Sequence, residues 1–143
     1  MTQGLAQEAS PPTTVADVMR PPLTTVEQDG HAAAAAFLMK RAHATALVVL
    51  ADELSRRPVG LITEADIVTA VADGKDPSET RIHDLMTLKP TVIAGSTSVR
   101  EAAEAMLAGN FRHLPVVEDS ALVGIVDLAD VCRSLLDAPV KPV

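Results

Sequence analysis

Tryptophan and tyrosine are missing from this chain of 143 residues, and Phe37 and Phe111 are its only aromatics. The length still suffices for one compact unit with its own core, so that core must be built from Val, Leu, Ile, Met and Ala. Heavy use of alanine favours close approach of helices and sheets over bulky packing. Positive charge is also scarce. The net charge is −7 and acids outnumber bases in both halves, which argues against a nucleic-acid-binding face and against a polybasic membrane patch. Cysteine occurs once, so no disulfide can form within the chain. Cys132 falls on the apolar stripe of an expected helix and reads as a small buried hydrophobe. A lone buried thiol fits a reducing compartment. Long apolar runs are lacking. The clean run Ala32 to Met39 covers eight residues, too few to span a bilayer. Met1 to Pro12 has neither the basic nor the apolar region of a signal peptide. The chain is therefore read as soluble and cytoplasmic, with no nucleic acid and no membrane among its partners.

Catalytic signatures are lacking as well. His31, His43 and His83 share no ligand spacing and have no Cys or Glu cluster beside them, which favours solvated or capping roles over metal ligation. No Ser/His/Asp or Cys/His constellation and no P-loop is visible. The expectation is a protein that is not an enzyme, with no catalytic residues, no metal and no required cofactor.

What the chain does have is an internal repeat. Asp17-Val18-Met19 returns as Asp84-Leu85-Met86 at an offset of 67 residues. Thr24, Ala35, Ala36, Met39, Leu47 and Val49 match Thr91, Ala102, Ala103, Met106, Leu114 and Val116 at the same offset. Gly60-Leu61-Ile62-Thr63-Glu64-Ala65-Asp66 then returns as Gly124-Ile125-Val126-Asp127-Leu128-Ala129-Asp130 at an offset of 64. Three extra residues in a first hairpin loop, Asp52 to Arg57, against a tight Asp119-Ser120 turn in the second, explain the shift.

Each copy opens with a helical turn, Val15 to Met19 or Ile82 to Met86, followed by an extended piece, Leu23 to Val26 or Thr91 to Ile93. A helix follows at His31 to Arg41 or Ser98 to Ala108. In the second of these Ser98 and Glu101 have capping-box spacing and Gly109 reads as the stop. The first is apolar nearly all round, which predicts burial on more than one side, with a partner chain as one candidate cover. Apolar strands at Ala46 to Leu50, Val59 to Ile62, Leu114 to Val117 and Leu122 to Val126 predict sheets covered on both faces. A second helix closes each copy. The predicted organisation is a flexible segment 1–12, a first repeat 13–73, a linker 74–79, a second repeat 80–136 and a tail 137–143. A single copy of about 55–60 residues is marginal alone. The two should therefore pack sheet to sheet as one α/β (α+β) unit of two β-α-β-β-α repeats with pseudo-two-fold symmetry.

The ordered set of Asp-Val-Met and Asp-Leu-Met, Thr97-Ser98-Val99-Arg100-Glu101-Ala102, Arg112-His113-Leu114-Pro115-Val116-Val117 and the two Gly-x-x-x-x-x-Asp words resembles a tandem cystathionine-β-synthase (CBS) domain pair, or Bateman module, over residues 13–136. The resemblance implies a regulatory module that binds AMP, ADP, ATP or S-adenosylmethionine between its copies, forms a homodimer and signals to a regulated protein. It also implies ligand roles for Thr63 and Asp66. A carboxylate at a helix start can accept from a ribose diol, and the same residues read equally as a helix cap. Asp130 holds the matching position. Arg112 and His113 read as a phosphate pair, and Thr97 as a neighbour of the adenine in the Asp66 cleft. Asp127 departs from the pattern by standing where a hydroxyl is usual. Two like charges about 4 Å apart cost on the order of 4 kcal/mol at an effective dielectric near 20. A second carboxylate would repel a phosphate, so the Asp130 cleft is expected to be empty, to need a metal-bound nucleotide, or to prefer a ligand without phosphate, such as the cationic S-adenosylmethionine. The alternative reading is a dimeric interaction scaffold with degenerate clefts.

Overall fold

The computed structural model describes residues 13–22 and 24–137. The segments 1–12 and 138–143, and Leu23 at the start of the first expected extended piece, lie outside the described residues. The first half contains α1 (Val15–Val18), β1 (Thr25–Glu27), α2 (Ala32–Ala42), β2 (Ala46–Leu50), β3 (Pro58–Thr63) and α3 (Glu64–Ala72). The second half opens with a 3-10 turn (Ile82–Asp84) and continues with β4 (Thr87–Leu88), β5 (Ile93–Ala94), α4 (Val99–Gly109), β6 (His113–Glu118), β7 (Ala121–Asp127) and α5 (Leu128–Asp137). The predicted β-α-β-β-α order is present twice.

The strands form two sheets, ordered β1-β2-β3-β4 and β5-β6-β7. In each, a short parallel pair joins an antiparallel hairpin. All five residues of β2 are buried, and the two-residue period of a strand sorts them. Leu47 and Val49 join Ile62, Ala35 and Met39 beneath the helices. Ala46, Val48 and Leu50 face Leu61 and, across the sheet interface, Leu122 and Ile125. This double burial is why the strand reads as a continuous apolar run. The second hairpin closes through Asp119 and Ser120, both left-handed at φ 51° and 68°, the backbone that a two-residue turn requires.

The opening turns do not stay with their own copies. α1 buries Val15 among Val99, Ala102, Met106, Leu114 and Val131 of the second half. The 3-10 turn buries Ile82 among Val26, Ala35, Met39, Val49 and Ile62 of the first. Backbone bonds fix the exchange in matched pairs. Val15 N–H donates to Thr97 O at 2.8 Å and Ile82 N–H to Gly30 O at 2.8 Å. Val99 N–H donates to Thr13 O at 3.1 Å and Ala32 N–H to Thr80 O at 2.8 Å. Each partner is displaced from its equivalent by the repeat offset, so the pseudo-two-fold relation holds down to individual amides. β4 completes the pattern: it pairs with β3 through Gly60 and Leu61, as Arg20 pairs with Ile125 of β7. β4 was not predicted, because two exposed residues carry no alternation to read.

The exchange also explains two of the repeated words. A Cβ on Gly60 would collide with the sulfur of Met86, and one on Gly124 with the sulfur of Met19. The methionine of each Asp-x-Met word is seated on the glycine of the other copy, which only a residue without a side chain permits.

Within the chain α2 is buried along one side, through Ala32, Ala35 and Met39, and Phe37 on its outer side is 61% exposed. Two expectations need correction. α4 stops at Asn110, left-handed at φ 57°, and Gly109 is its last helical residue. Its lack of a side chain makes room for the Phe111 ring. Cys132 is exposed. α5 buries Asp130 and Val131, which turns the following residue outward.

The glycine–methionine seat predicts coupling. Gly124→Ala should destabilise the chain by roughly 1–3 kcal/mol through overpacking. Urea denaturation should find that Met19→Ala combined with Gly124→Ala costs less than the two singles added, because the collision with the Met19 side chain is then gone and only the 3.1 Å approach to Arg20 O remains. Strict additivity would show that the contact is slack.

Candidate functional site

Each hairpin runs straight into a capped helix, and the cap brings a carboxylate to the strand end. In the first half Asp66 N–H donates to Thr63 Oγ1 at 3.2 Å, and Thr63 N–H donates to Asp66 Oδ2 at 2.9 Å. In the second half Asp130 N–H donates to Asp127 Oδ1 at 2.7 Å, and Asp127 N–H donates to Asp130 Oδ2 at 3.2 Å. The aspartate at position 127 thus caps its helix as the threonine does, since either oxygen satisfies a first-turn amide.

A cleft of about 790 Å³ opens beside the second of these caps. Its apolar walls come from Pro21, Pro22, Leu38, Ala42, Ala44, Leu47 and Ile125, and its polar groups from Arg20, Thr24, Arg41, His43, Thr45, His113, Asp127 and Asp130. Both halves supply it. The exchanged segment after α1 and the end of α2 belong to the first half, and the ends of β6 and β7 with the start of α5 to the second.

Asp130 has only 5% of its side chain exposed and is held by arginines. Arg20 Nε donates to both carboxylate oxygens, at 3.1 and 3.2 Å, and Arg20 Nη2 donates to Oδ1 at 3.0 Å. Arg133 Nη1 adds a bond to Oδ1 at 3.3 Å. Burial opposes ionisation of Asp130, but the Arg20 guanidinium and the Asp127 amide outweigh it and hold the carboxyl below the usual carboxylate range. The hydrogen bonds from Arg20 to Asp130, then their opposite charges, raise the Arg20 pKa in return. The expected bare acid pair is therefore corrected. Arg20 and Arg133 both pair with Asp130, and Arg41 brings a further cation to the wall. Arg20 lies 110 residues upstream, and only the exchange of opening segments brings it here. Nothing in the local sequence around Asp130 announces it.

His113 Nε2 and Thr45 Oγ1 are 2.7 Å apart in a hydrogen bond between the two halves. Ala46 and His113 are counterparts at the repeat offset, and both line the cleft, which puts them close to the pseudo-two-fold axis. Burial holds the imidazole below its usual pKa; Asp127, Asp130 and Glu64 oppose this and Arg112 reinforces it.

The remaining sequence-derived candidates lie elsewhere. Thr63 and Asp66 take the symmetry-related position in the first half. Among the described residues no further hydrogen bond to the Asp66 carboxylate is found beyond the Thr63 amide. Arg112 is exposed and is not among the residues lining the cleft, although its counterpart Thr45 is. Thr97 is half-buried, and its carbonyl anchors the first amide of α1. Among the described residues no group of three or more His, Cys, Asp or Glu could hold a metal ion. None of their helices is long and apolar enough to cross a membrane.

Comparison with known proteins gives a consistent family. The CBS domain family model matches residues 15–73 and 82–137. An uncharacterised 17.7 kDa protein of Acidianus ambivalens is 36% identical over 126 residues, covering 87% of this chain and 70% of that one. The CBS domain-containing protein CBSCBSPB2 of Arabidopsis thaliana is 35% identical over 91 residues, 63% of this chain, which spans only 16% of that protein's length. Among solved structures, the CBS domain pair of protein MJ0100 in complex with 5′-methylthioadenosine and S-adenosyl-L-methionine has a TM-score of 0.81 at 27% identity. The match covers 90% of this chain and 100% of that one. CBSX2 of Arabidopsis thaliana in complex with AMP has a TM-score of 0.71 at 29% identity, covering 87% and 96%.

The depressed His113 pKa has a readable consequence. Above the unfolded value of 6.5 both states are neutral and the group contributes nothing. Below it the unfolded chain takes up a proton that the folded chain refuses, so stability falls as pH drops. Urea melts between pH 7.5 and 5.5 should show this loss, and His113→Asn should flatten it. An equal slope in the variant would assign the loss to other groups.

Proposed function

Since the chain belongs to the CBS domain family, we propose that it is a regulatory module that seats an adenosine-containing ligand between its two repeats and signals to a partner protein. The carrying observation is the cleft of about 790 Å³, a volume suited to a small ligand. Its apolar walls suit a flat base and its polar end suits a ribose. Two seats related by the pseudo-two-fold axis are proposed. At one, Asp66 takes the ribose diol with Thr63 beside it, Arg112 meets the phosphate and Thr97 supports the nucleoside. At the other, Asp130 takes the diol beside Asp127. His113 stands between them. AMP, ADP, ATP and S-adenosylmethionine are the candidate ligands. Because both halves wall the cleft, a ligand that binds one arrangement of the halves better shifts the population toward it.

A homodimer is proposed as the assembly, on the exposed apolar residues of the outer helices: Phe37 of α2 (61% exposed), Val68 and Val71 of α3 (66% and 53%) and Leu135 and Leu136 of α5 (43% and 81%). The chain's compartment is proposed to be the cytoplasm. A second reading, a scaffold with closed clefts, is favoured by one observation: Asp130 already has its oxygens engaged by Arg20, Arg133 and Asp127.

A thermal-shift screen with the four ligands separates the readings. A ligand at 100 times its Kd adds about 2.7 kcal/mol to the folded state, worth roughly 5–10 °C at this size. Asp66→Asn, which keeps the cap, should remove one of two calorimetric sites. A flat screen would support the scaffold. In light scattering the wild type should run as a dimer, and Val71→Glu/Leu135→Glu as a monomer.

A further inference from the structure

Asp130 is the one buried charged side chain found among the described residues, and its carboxylate is crowded. Three bonds from Arg20, one from Arg133 and one from the Asp127 amide converge on two oxygens. A carboxylate offers about four lone-pair directions, so a ribose diol finds no vacant acceptor while Arg20 stays. The arginine itself is only partly committed. Its side chain is 56% exposed, while its backbone is pinned to β7 by Arg20 N–H to Ile125 O at 2.8 Å and Ile125 N–H to Arg20 O at 3.0 Å. It can leave Asp130 by side-chain rotation alone, with the sheet edge undisturbed. The repeat offset puts Thr87 at the equivalent place in the other half, so the seat at Asp66 carries no such cation.

Resting on the adenosine reading above, we propose that Arg20 sets the charge class of ligand that the Asp130 cleft accepts, admitting nucleosides that carry a phosphate and barring those that do not. Displacing the guanidinium by two hydroxyls exchanges charge-assisted bonds for weaker ones and leaves a cation without its anion. An uncharged nucleoside offers nothing in return. A nucleotide supplies a phosphate that takes the freed guanidinium through a bidentate contact, so the ion pair is passed from Asp130 to the ligand rather than broken. Arg41, on the same wall, adds attraction for the phosphate but does not occupy the carboxylate.

The test compares AMP with adenosine by calorimetry, in an Asp66→Asn background that leaves one seat. With Arg20 present AMP should bind more than about tenfold tighter than adenosine. Arg20→Met should tighten adenosine by about fivefold or more and bring the two within about threefold. That opposite-signed response is the signature: removing a simple phosphate attractor weakens AMP and leaves adenosine unchanged, and this outcome would overturn the proposal. Equal affinities with Arg20 present would overturn it too, while leaving the adenosine reading intact. No binding of either compound to the wild-type chain would overturn both. If Arg20→Met fails to fold because Asp130 is left unpaired, Arg20→Gln keeps an uncharged donor on Asp130 and removes the cation. Tighter adenosine with weaker AMP in Arg20→Gln supports the proposal, and weaker AMP with adenosine unchanged refutes it.

Discussion

The reciprocal exchange of the opening segments governs everything else in this molecule. Each half has an apolar floor that its own residues leave open, and the other half's first turn closes it with Val15 or Ile82. The closing side chains are fully buried, each worth at most about 1.5–3 kcal/mol of transfer free energy. The amides of Val15 and Ala16, and of Ile82 and His83, find their carbonyls across the exchange. Without it both sheets would lose an edge partner, both glycine words would lose their methionine, and the cleft would lose one wall.

The same exchange separates architecture from chemistry. As architecture, Gly60 to Asp66 and Gly124 to Asp130 are equivalent, down to reciprocal caps of matching geometry. As chemistry they differ in what arrives from the opposite copy. Arg20 reaches Asp130, whereas Thr87 stands in for it across the pseudo-two-fold axis. One carboxylate is buried under arginines; the other accepts from a single amide among the described residues. The two halves of this repeated scaffold thus differ at single equivalent positions, Asp127 against Thr63 and Arg20 against Thr87.

Most of the fold was legible in the chain. The repeat, the helix periodicity, the Ser98–Glu101 cap and the doubly covered strands all leave local or periodic marks. What was not legible is non-local. That α1 packs into the second half follows from packing rather than from any residue pattern within α1. The Arg20–Asp130 pair spans the whole chain, so the site read from local words lacked its principal cation. Cys132 went wrong for a smaller reason. A helix with Val131, Cys132, Leu135 and Leu136 admits two apolar stripes, and burial of Val131 chose the other one. The carbonyl of Thr97, which anchors the first amide of α1, is a backbone contact that no side-chain motif could announce.

Residues 74–79 join two halves whose opening segments are crossed. Val15 and Ile82 each close the half they do not belong to, so the covalent connection adds proximity, besides the Pro77 carbonyl that accepts the Ala33 amide at the start of α2 at 3.0 Å. It raises the effective concentration of each half around its mate, to a degree set by tether length. Cut within that stretch, the two pieces would still own complementary halves of one core. The chain is in this respect a heterodimer that happens to be written in a single line.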